Sequence, residues 1–245
     1  MRPDVPRPAF YALEAGGWRD YVTLLHLPYT LWHLAYVVVG AAVASPEIRP
    51  GRVVPTLVAF ALALGVSAHA LDELQGRPLA TSIPRGGLVA LAAVPLGAAV
   101  AIGVYGAVAV NLWIALFVVA GATAAVAYNL ELFGGRLHGD VQFALAWGAF
   151  PLLTGAFAAA ERISAATAAA AAFAFLTALA QRHLSTQVRD VRRRVARVSG
   201  VLERTDGTTE PVTRATMSAA HERALGLLAA SHVALAVTLV IMRAG

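Results

Sequence analysis

Apolar runs about as long as a bilayer is thick recur along this chain, and they leave few folds open. A helix needs about 20 predominantly apolar residues to cross a hydrocarbon core. Seven segments approach that length, at roughly 21–44, 54–74, 86–105, 108–129, 141–160, 163–187 and 217–242. Backbone polar groups in lipid must be satisfied internally, so a spanning chain is either helical or a closed barrel. The period-two alternation of barrel strands is absent. The expected fold is therefore all-α: a polytopic transmembrane helix bundle of about seven spans, a single domain over residues 1–245. Composition agrees, with 58% hydrophobic and only 13% charged residues and a mean hydropathy of +0.67. An ordinary soluble domain carries roughly twice that charged share.

The breaks between runs carry turn chemistry: SPEIRPG, GRPLATSIPRGG, LFGGRLHGD and the polar stretch 189–214. The third and fourth runs are separated by little more than Tyr105-Gly106, which predicts a tight helical hairpin. Arginine placement predicts topology. Arg2, Arg7, Arg19, Arg77, Arg85, Arg136 and nine arginines between 182 and 223 fall on one side, fifteen in all. Arg49, Arg52, Arg162 and Arg243, four in all, fall on the other. By the positive-inside rule the N-terminus is cytoplasmic and the C-terminus outside, in the plasma membrane. The stretch 189–214 is then a cytoplasmic loop between the sixth and seventh spans. The first twenty residues lack the apolar core and cleavage site of a signal peptide.

The chain has no cysteine, so disulfide and thiolate chemistry are excluded. All 19 basic residues are arginine, a bias that coding composition explains. The net charge of +5 reflects cytoplasmic-loop arginines rather than nucleic-acid binding. Dinucleotide and P-loop glycine motifs, HExxH and a nucleophile elbow are absent, as is a Ser-His-Asp arrangement.

Three polar clusters end spans on the predicted cytoplasmic side. In HALDELQGRPL, His69, Asp72 and Glu73 stand at i, i+3 and i+4, one helical face. A polar helix end accounts for such a cluster too, but a carboxylate at a helix C-terminus is opposed by the dipole, and ionisable groups at membrane depth tend to be functional. In QRHLSTQVRDVRRR, His183, Gln187 and Asp190 share a face at i, i+4 and i+7. Lipid anchoring explains Arg192–Arg194 but does not call for the other three. In AYNLELFGGRLHGD, Tyr128 reads as an interfacial belt residue, and Asn129, Arg136, His138 and Asp140 line a polar mouth or simply face water. His26, His33 and His232 stand alone within spans, as interhelical hydrogen-bonding residues do. Trp32, Trp113 and Trp147 read as packing or interfacial residues, and Gly148-Ala149 and Gly155-Ala156 as points of close helix approach.

In this order these features resemble the UbiA superfamily of membrane prenyltransferases, over roughly residues 20–195. AHALDELQGRPLATSI is similar to that family's N-D-x-x-D-x-x-x-D motif followed by R-P-L: Asp72 matches the second Asp, and Arg77-Pro78-Leu79 the R-P-L. TQVRDVRRR stands at the place of D-x-x-x-D-x-x-x-D, with Asp190 in the centre. LLHLPYTLWHLAYVVVG looks like the first helix, with His26-Leu27 at the R-P position; AYNLELFGGR and AWGAFPLLTG look like the ends of the fourth and fifth. Ala68, His69, Gly76, Thr186 and Arg194 depart from the motifs, and the family's usual nine helices exceed the seven counted here.

The resemblance implies transfer of a prenyl group from a polyprenyl diphosphate to a hydrophobic, aromatic or lipid acceptor. Asp72 and Asp190 are then the catalytic pair and, with Glu73, hold Mg²⁺. Arg77, Arg189 and Arg136 bind phosphate, because guanidinium grips it bidentately, and His69, His183, Gln187, Tyr128 and Asn129 serve the substrate side. Three other readings remain: cyclisation of a prenyl diphosphate without an acceptor; a non-enzymatic lipid-binding or transport protein on a UbiA-like bundle; and a transition-metal site of His69, Asp72, Glu73 and His183, since imidazole and carboxylate suit such metals.

Overall fold

The structure is a computed structural model and describes residues 7–244; Arg2, counted above for topology, lies outside them. Among these described residues eight helices run in chain order: α1 Trp18–Leu24, α2 Leu27–Ala44, α3 Pro50–Leu74, α4 Arg85–Ala109, α5 Ile114–Asn129, α6 Asp140–Ala160, α7 Ala165–Arg194 and α8 Arg214–Ala244. A two-stranded antiparallel hairpin, β1 Val201–Glu203 and β2 Thr209–Pro211, joins α7 to α8. Six helices (α2, α3, α4, α6, α7 and α8) are long and apolar enough to cross a membrane. The shorter apolar α5 has 16 residues, about 24 Å at 1.5 Å per residue, short of a bilayer core.

Boundaries shift where local chemistry outweighs hydropathy. The first run is two helices, because Pro28 cannot donate back to Leu24 and its ring crowds that carbonyl; His26 sits in the break with φ 46°. The α4–α5 turn falls at Val110–Trp113 rather than Tyr105-Gly106. There the Asn111 side chain accepts from the Trp113 N–H at 3.0 Å, an Asx turn. Helix α7 continues to Arg194, where three arginines face the negative end of its dipole, so the connection expected over 189–214 spans only 195–213. The start of α7 is set by a capping box in which Ser164 and Thr167 bond each other's backbone N–H.

Lipid gives helices no hydrophobic reason to associate, so packing rests on small residues and hydrogen bonds. Helices α2 and α6 interlock backbone to backbone: a Cβ on Gly155 would strike the Val37 carbonyl, and one on Gly40 the Leu152 carbonyl. Gly148 brings α6 equally close to Ala174 of α7. Trp32, Tyr36, Leu152, Ala174 and Leu225 form the core of α2, α6, α7 and α8. Trp32 donates to the Tyr36 hydroxyl, which pairs with Thr177 on α7, each at 2.7 Å. Helix α4 lies at the periphery, with only 17% of its most apolar window buried. Two helices change pitch midway: Ala61–Ala68 of α3 and Ala144–Ala149 of α6 are π-helical. Such turns are often found at functional sites, and both of these end beside the cavity.

Candidate functional site

The ends of α3, α5 and α7 and the start of α6 surround one cavity of about 740 Å³. HALDELQGRPL, AYNLELFGGRLHGD and QRHLSTQVRDVRRR all contribute to its wall, although 47 residues separate the first from the second and 40 the second from the third. A fourth wall, Pro8–Tyr11, carries no signal in the sequence.

His69 and Asp72 line the cavity and Glu73 does not. Successive helical residues are about 100° apart, and this step sends Asp72 to the cavity side and Glu73 into the turn after α3. Glu73 is fully buried and accepts from Leu79 N (2.9 Å), Thr81 N (2.9 Å) and Thr81 Oγ1 (2.8 Å). Arg77, at φ 55°, donates to the carbonyls of Thr81 (2.8 Å) and Ile83 (2.7 Å) and is absent from the cavity wall. Glu73 and Arg77 thus tie the GRPLATSIP turn. His69 donates from Nδ1 to the Gly65 carbonyl at 3.1 Å, which leaves Nε2 an acceptor in the neutral ring. Its ring stacks on His26, centroids 4.0 Å apart.

On α7 the inward stripe is Gln181, Ser185 and Val188, all buried. His183 is exposed and outside the cavity wall. Gln187 and Asp190 reach the mouth from the flank, and Asp190, half exposed, pairs with Arg194 at 3.6 Å. Arg189 folds back along its helix and donates to Ser185 Oγ (3.1 Å) and Thr186 Oγ1 (2.8 Å). Arg136 is exposed and off the wall. Arg182 is paired with Asp140 at 3.0 Å and lies over the Phe143 ring. Among the described residues, the charged wall groups Arg189, Arg193, Asp72 and Glu131 stand outside the ion pairs. The mouth therefore offers two guanidinium groups and two carboxylates outside the ion pairs, with Arg189 bonded only to neutral hydroxyls.

The segment Pro8–Tyr11 straps the mouth. Tyr11 packs against Tyr29 and His26 at centroid distances of 5.5 and 5.2 Å, and burial pushes its hydroxyl well above the usual phenol value. Arg192 holds Arg7 O at 3.0 Å while gripping Glu222 of α8 with two bonds. Asp20 anchors the strap's far end, accepting from Gly16 N (2.9 Å), Ser82 N (2.8 Å) and Ser82 Oγ. Burial acts to raise the Asp20 carboxyl, but these donors outweigh it and hold it below its usual value.

Phe143 and Trp147 of α6 stack at 5.9 Å, with Tyr128 4.7 Å from Trp147 and His33 6.0 Å from Phe143. Three of the buried polar groups around these rings, His33 Nδ1, Tyr128 Oη and Gln181 Oε1, have no hydrogen-bond partner. Asn129, by contrast, donates to Ala125 O of its own helix at 2.7 Å. His33 and Gln181 escape sequence reasoning because one polar residue in an apolar run looks alike whether it faces lipid, helix or cavity. His232 bonds within its own helix, to Leu228 O at 2.7 Å, instead of across helices. Trp147 also borders a second cavity, an apolar one of about 160 Å³ lined by α3, α4, α5 and α6.

A Mg²⁺ ion fits this donor set only partly. No group of three or more His, Asp or Glu gathers as a metal cage among the described residues, and His183 and Glu73 are turned away from His69 and Asp72. Asp72 fits as the one protein carboxylate of an ion otherwise held by phosphate oxygens and water, a common arrangement for Mg²⁺. No family model, curated protein or solved structure matches the chain.

Proposed function

We propose that this integral membrane protein is a prenyltransferase of UbiA type, working at a cavity that opens to the cytoplasm within a bundle of six long apolar helices and the shorter α5. The observation that carries the reading is the meeting of Asp72 from α3 with Arg189 and Arg193 from α7 around one cavity that continues into an aromatic interior. Arg189 and Arg193 hold the diphosphate of a polyprenyl donor, and Asp72 would hold a Mg²⁺ ion, which would supply charge neutralisation for the leaving group. The prenyl tail lies in the apolar cavity beyond Trp147. Heterolysis of the C1–O bond leaves its electron pair on diphosphate. Tyr128, Phe143 and Trp147 shelter the allylic cation with their ring faces. An aromatic acceptor carbon supplies the pair for the new C–C bond, and the proton it displaces leaves with diphosphate.

Titration calorimetry of the purified protein with geranylgeranyl diphosphate, with and without Mg²⁺, tests this. Binding that Arg189→Ala weakens is expected, and no binding under either condition overturns it. Mass spectrometry of products separates acceptor prenylation from cyclisation. A second reading, a non-enzymatic lipid-binding protein, is favoured by Glu73 being spent on the turn and Asp190 on Arg194. In that case Asp72→Ala and Asp190→Ala leave cellular function intact. The absence of cysteine makes orientation simple to test: Thr205→Cys is labelled by an impermeant maleimide only from the cytoplasmic side, and Asn111→Cys only from outside.

A further inference from the structure

We infer that Tyr11 of the strap and Tyr29 of α2 donate hydrogen bonds to the anion held at the cavity mouth, so that the segment Pro8–Tyr11 belongs to the binding site and is not only its cover. Both side chains line the cavity together with Arg189 and Arg193. A tyrosine hydroxyl inside a fold usually finds a partner, and that of Tyr36 does, between Trp32 and Thr177. Among the described residues, the hydroxyls of Tyr11 and Tyr29 have none. They also differ from the Tyr128 hydroxyl, which is sealed from solvent: Tyr11 and Tyr29 are half-buried, and their oxygens are not among the sealed atoms, so a molecule in the cavity reaches them.

Aromatic packing fixes the two rings. Tyr11 and Tyr29 meet edge to face at 5.5 Å, Phe10 stands edge to face with Tyr11 at 5.2 Å and with Tyr29 at 6.2 Å, and His26 packs on Tyr11 at 5.2 Å. The strap behind them is tied on both sides, by Arg192 to Arg7 O at 3.0 Å and by Leu13 N–H to Thr23 Oγ1 at 3.0 Å, with Ala9 and Ala12 buried between. Donors already held in place cost little ordering when a ligand arrives.

Burial keeps the Tyr11 phenol protonated well above its usual range, so it remains a donor, and the charges that act on it include Arg193, Asp72 and Arg189. Each guanidinium carries five N–H donors, and Arg189 uses only some of them on Ser185 and Thr186. Two phenols and two guanidinium groups, from the strap, α2 and α7, make one set of donors around a single mouth. The ligand that accepts from all four is an oxyanion with several oxygens, as a diphosphate is. The phenols add hydrogen bonds of the charge-assisted kind without adding charge. The inference deepens the transferase reading and rests on it for the identity of that headgroup.

Titration calorimetry with inorganic pyrophosphate, with and without Mg²⁺, separates the headgroup from the prenyl tail. Tyr11→Phe and Tyr29→Phe keep the rings and their packing and remove only the hydroxyls. Each is expected to weaken pyrophosphate binding about tenfold or more, the worth of one hydrogen bond to a charged group, with the unfolding temperature unchanged. Hydrogen exchange of the unmutated protein reads the same contact without a variant: the amides of Ala9–Leu13 are expected to slow when pyrophosphate binds. Variants that bind pyrophosphate as tightly as the unmutated protein, with strap exchange unaltered, overturn the inference and leave the transferase reading standing. A lowered unfolding temperature with affinity intact marks a purely structural role and overturns it as well. Weakened pyrophosphate binding in both variants, in a protein that binds a prenyl diphosphate and never transfers the prenyl group, supports this site and sinks the transferase reading. Pyrophosphate bound under neither condition overturns both.

Discussion

Asp72 and Glu73 are neighbours on one helix and belong to opposite kinds of region. The turn behind Glu73 is closed: its carboxylate takes three donors from Leu79 and Thr81, and Arg77 spends two bonds on Thr81 and Ile83. The cavity before Asp72 is open: its arginines are partly unpaired, and His33, Tyr128 and Gln181 lack partners. In the first region every polar group serves the fold. In the second, polar groups are held buried and unused, a costly arrangement that makes sense at a ligand site.

The sharpest way to break this contrast is Glu73→Leu. It strands the Leu79 and Thr81 donors, and losing a buried carboxylate with several charge-assisted bonds is expected to cost about 3–5 kcal/mol in detergent unfolding. Gly155→Val comes next, because its side chain meets the α2 backbone; overpacking there is expected to cost roughly 1–3 kcal/mol or more, read as a lower unfolding temperature. On the open side the sign of the comparison reverses. Asp72→Asn is expected to change stability by less than about 1 kcal/mol, while binding of a prenyl diphosphate by calorimetry falls at least about tenfold. Equal destabilisation by Asp72→Asn and Glu73→Leu would erase the distinction. The smallest expected effect is on acid stability. Asp20 has a depressed folded value, so its contribution is present above its unfolded pKa, 3.8, and is lost as pH falls through the lower folded value. The unfolding temperature should therefore drop as pH falls below about 4, and Asp20→Asn should flatten that drop.

Much of the fold was legible because its physics is local. Twenty apolar residues act through neighbours in sequence, so the order of the long helices could be read; the break at Pro28 and the continuation of α7 to Arg194 were missed, and seven runs became eight helices, six of them long enough to span. The site was legible only in outline. The three clusters at span ends do surround one cavity, but the expected shared faces of His69, Asp72 and Glu73, and of His183, Gln187 and Asp190, do not hold. A helical wheel gives which residues share a side and not which side meets a neighbour. It could not tell that the turn 75–84 would fold against Glu73, or that α7 would turn Gln181 inward and His183 outward.

The sequence by itself determined a membrane helix bundle without thiol chemistry, its polar groups concentrated at three span ends, since length, hydropathy and charge are properties of the chain. Only the tertiary structure decided which polar groups are satisfied. Glu73 and Arg77 became scaffold, Arg189 and Asp72 became cavity, and His33 and Gln181 emerged from apolar runs as open hydrogen-bonding groups. Satisfaction of a hydrogen bond depends on atoms brought together from distant helices, and no stretch of sequence contains both partners.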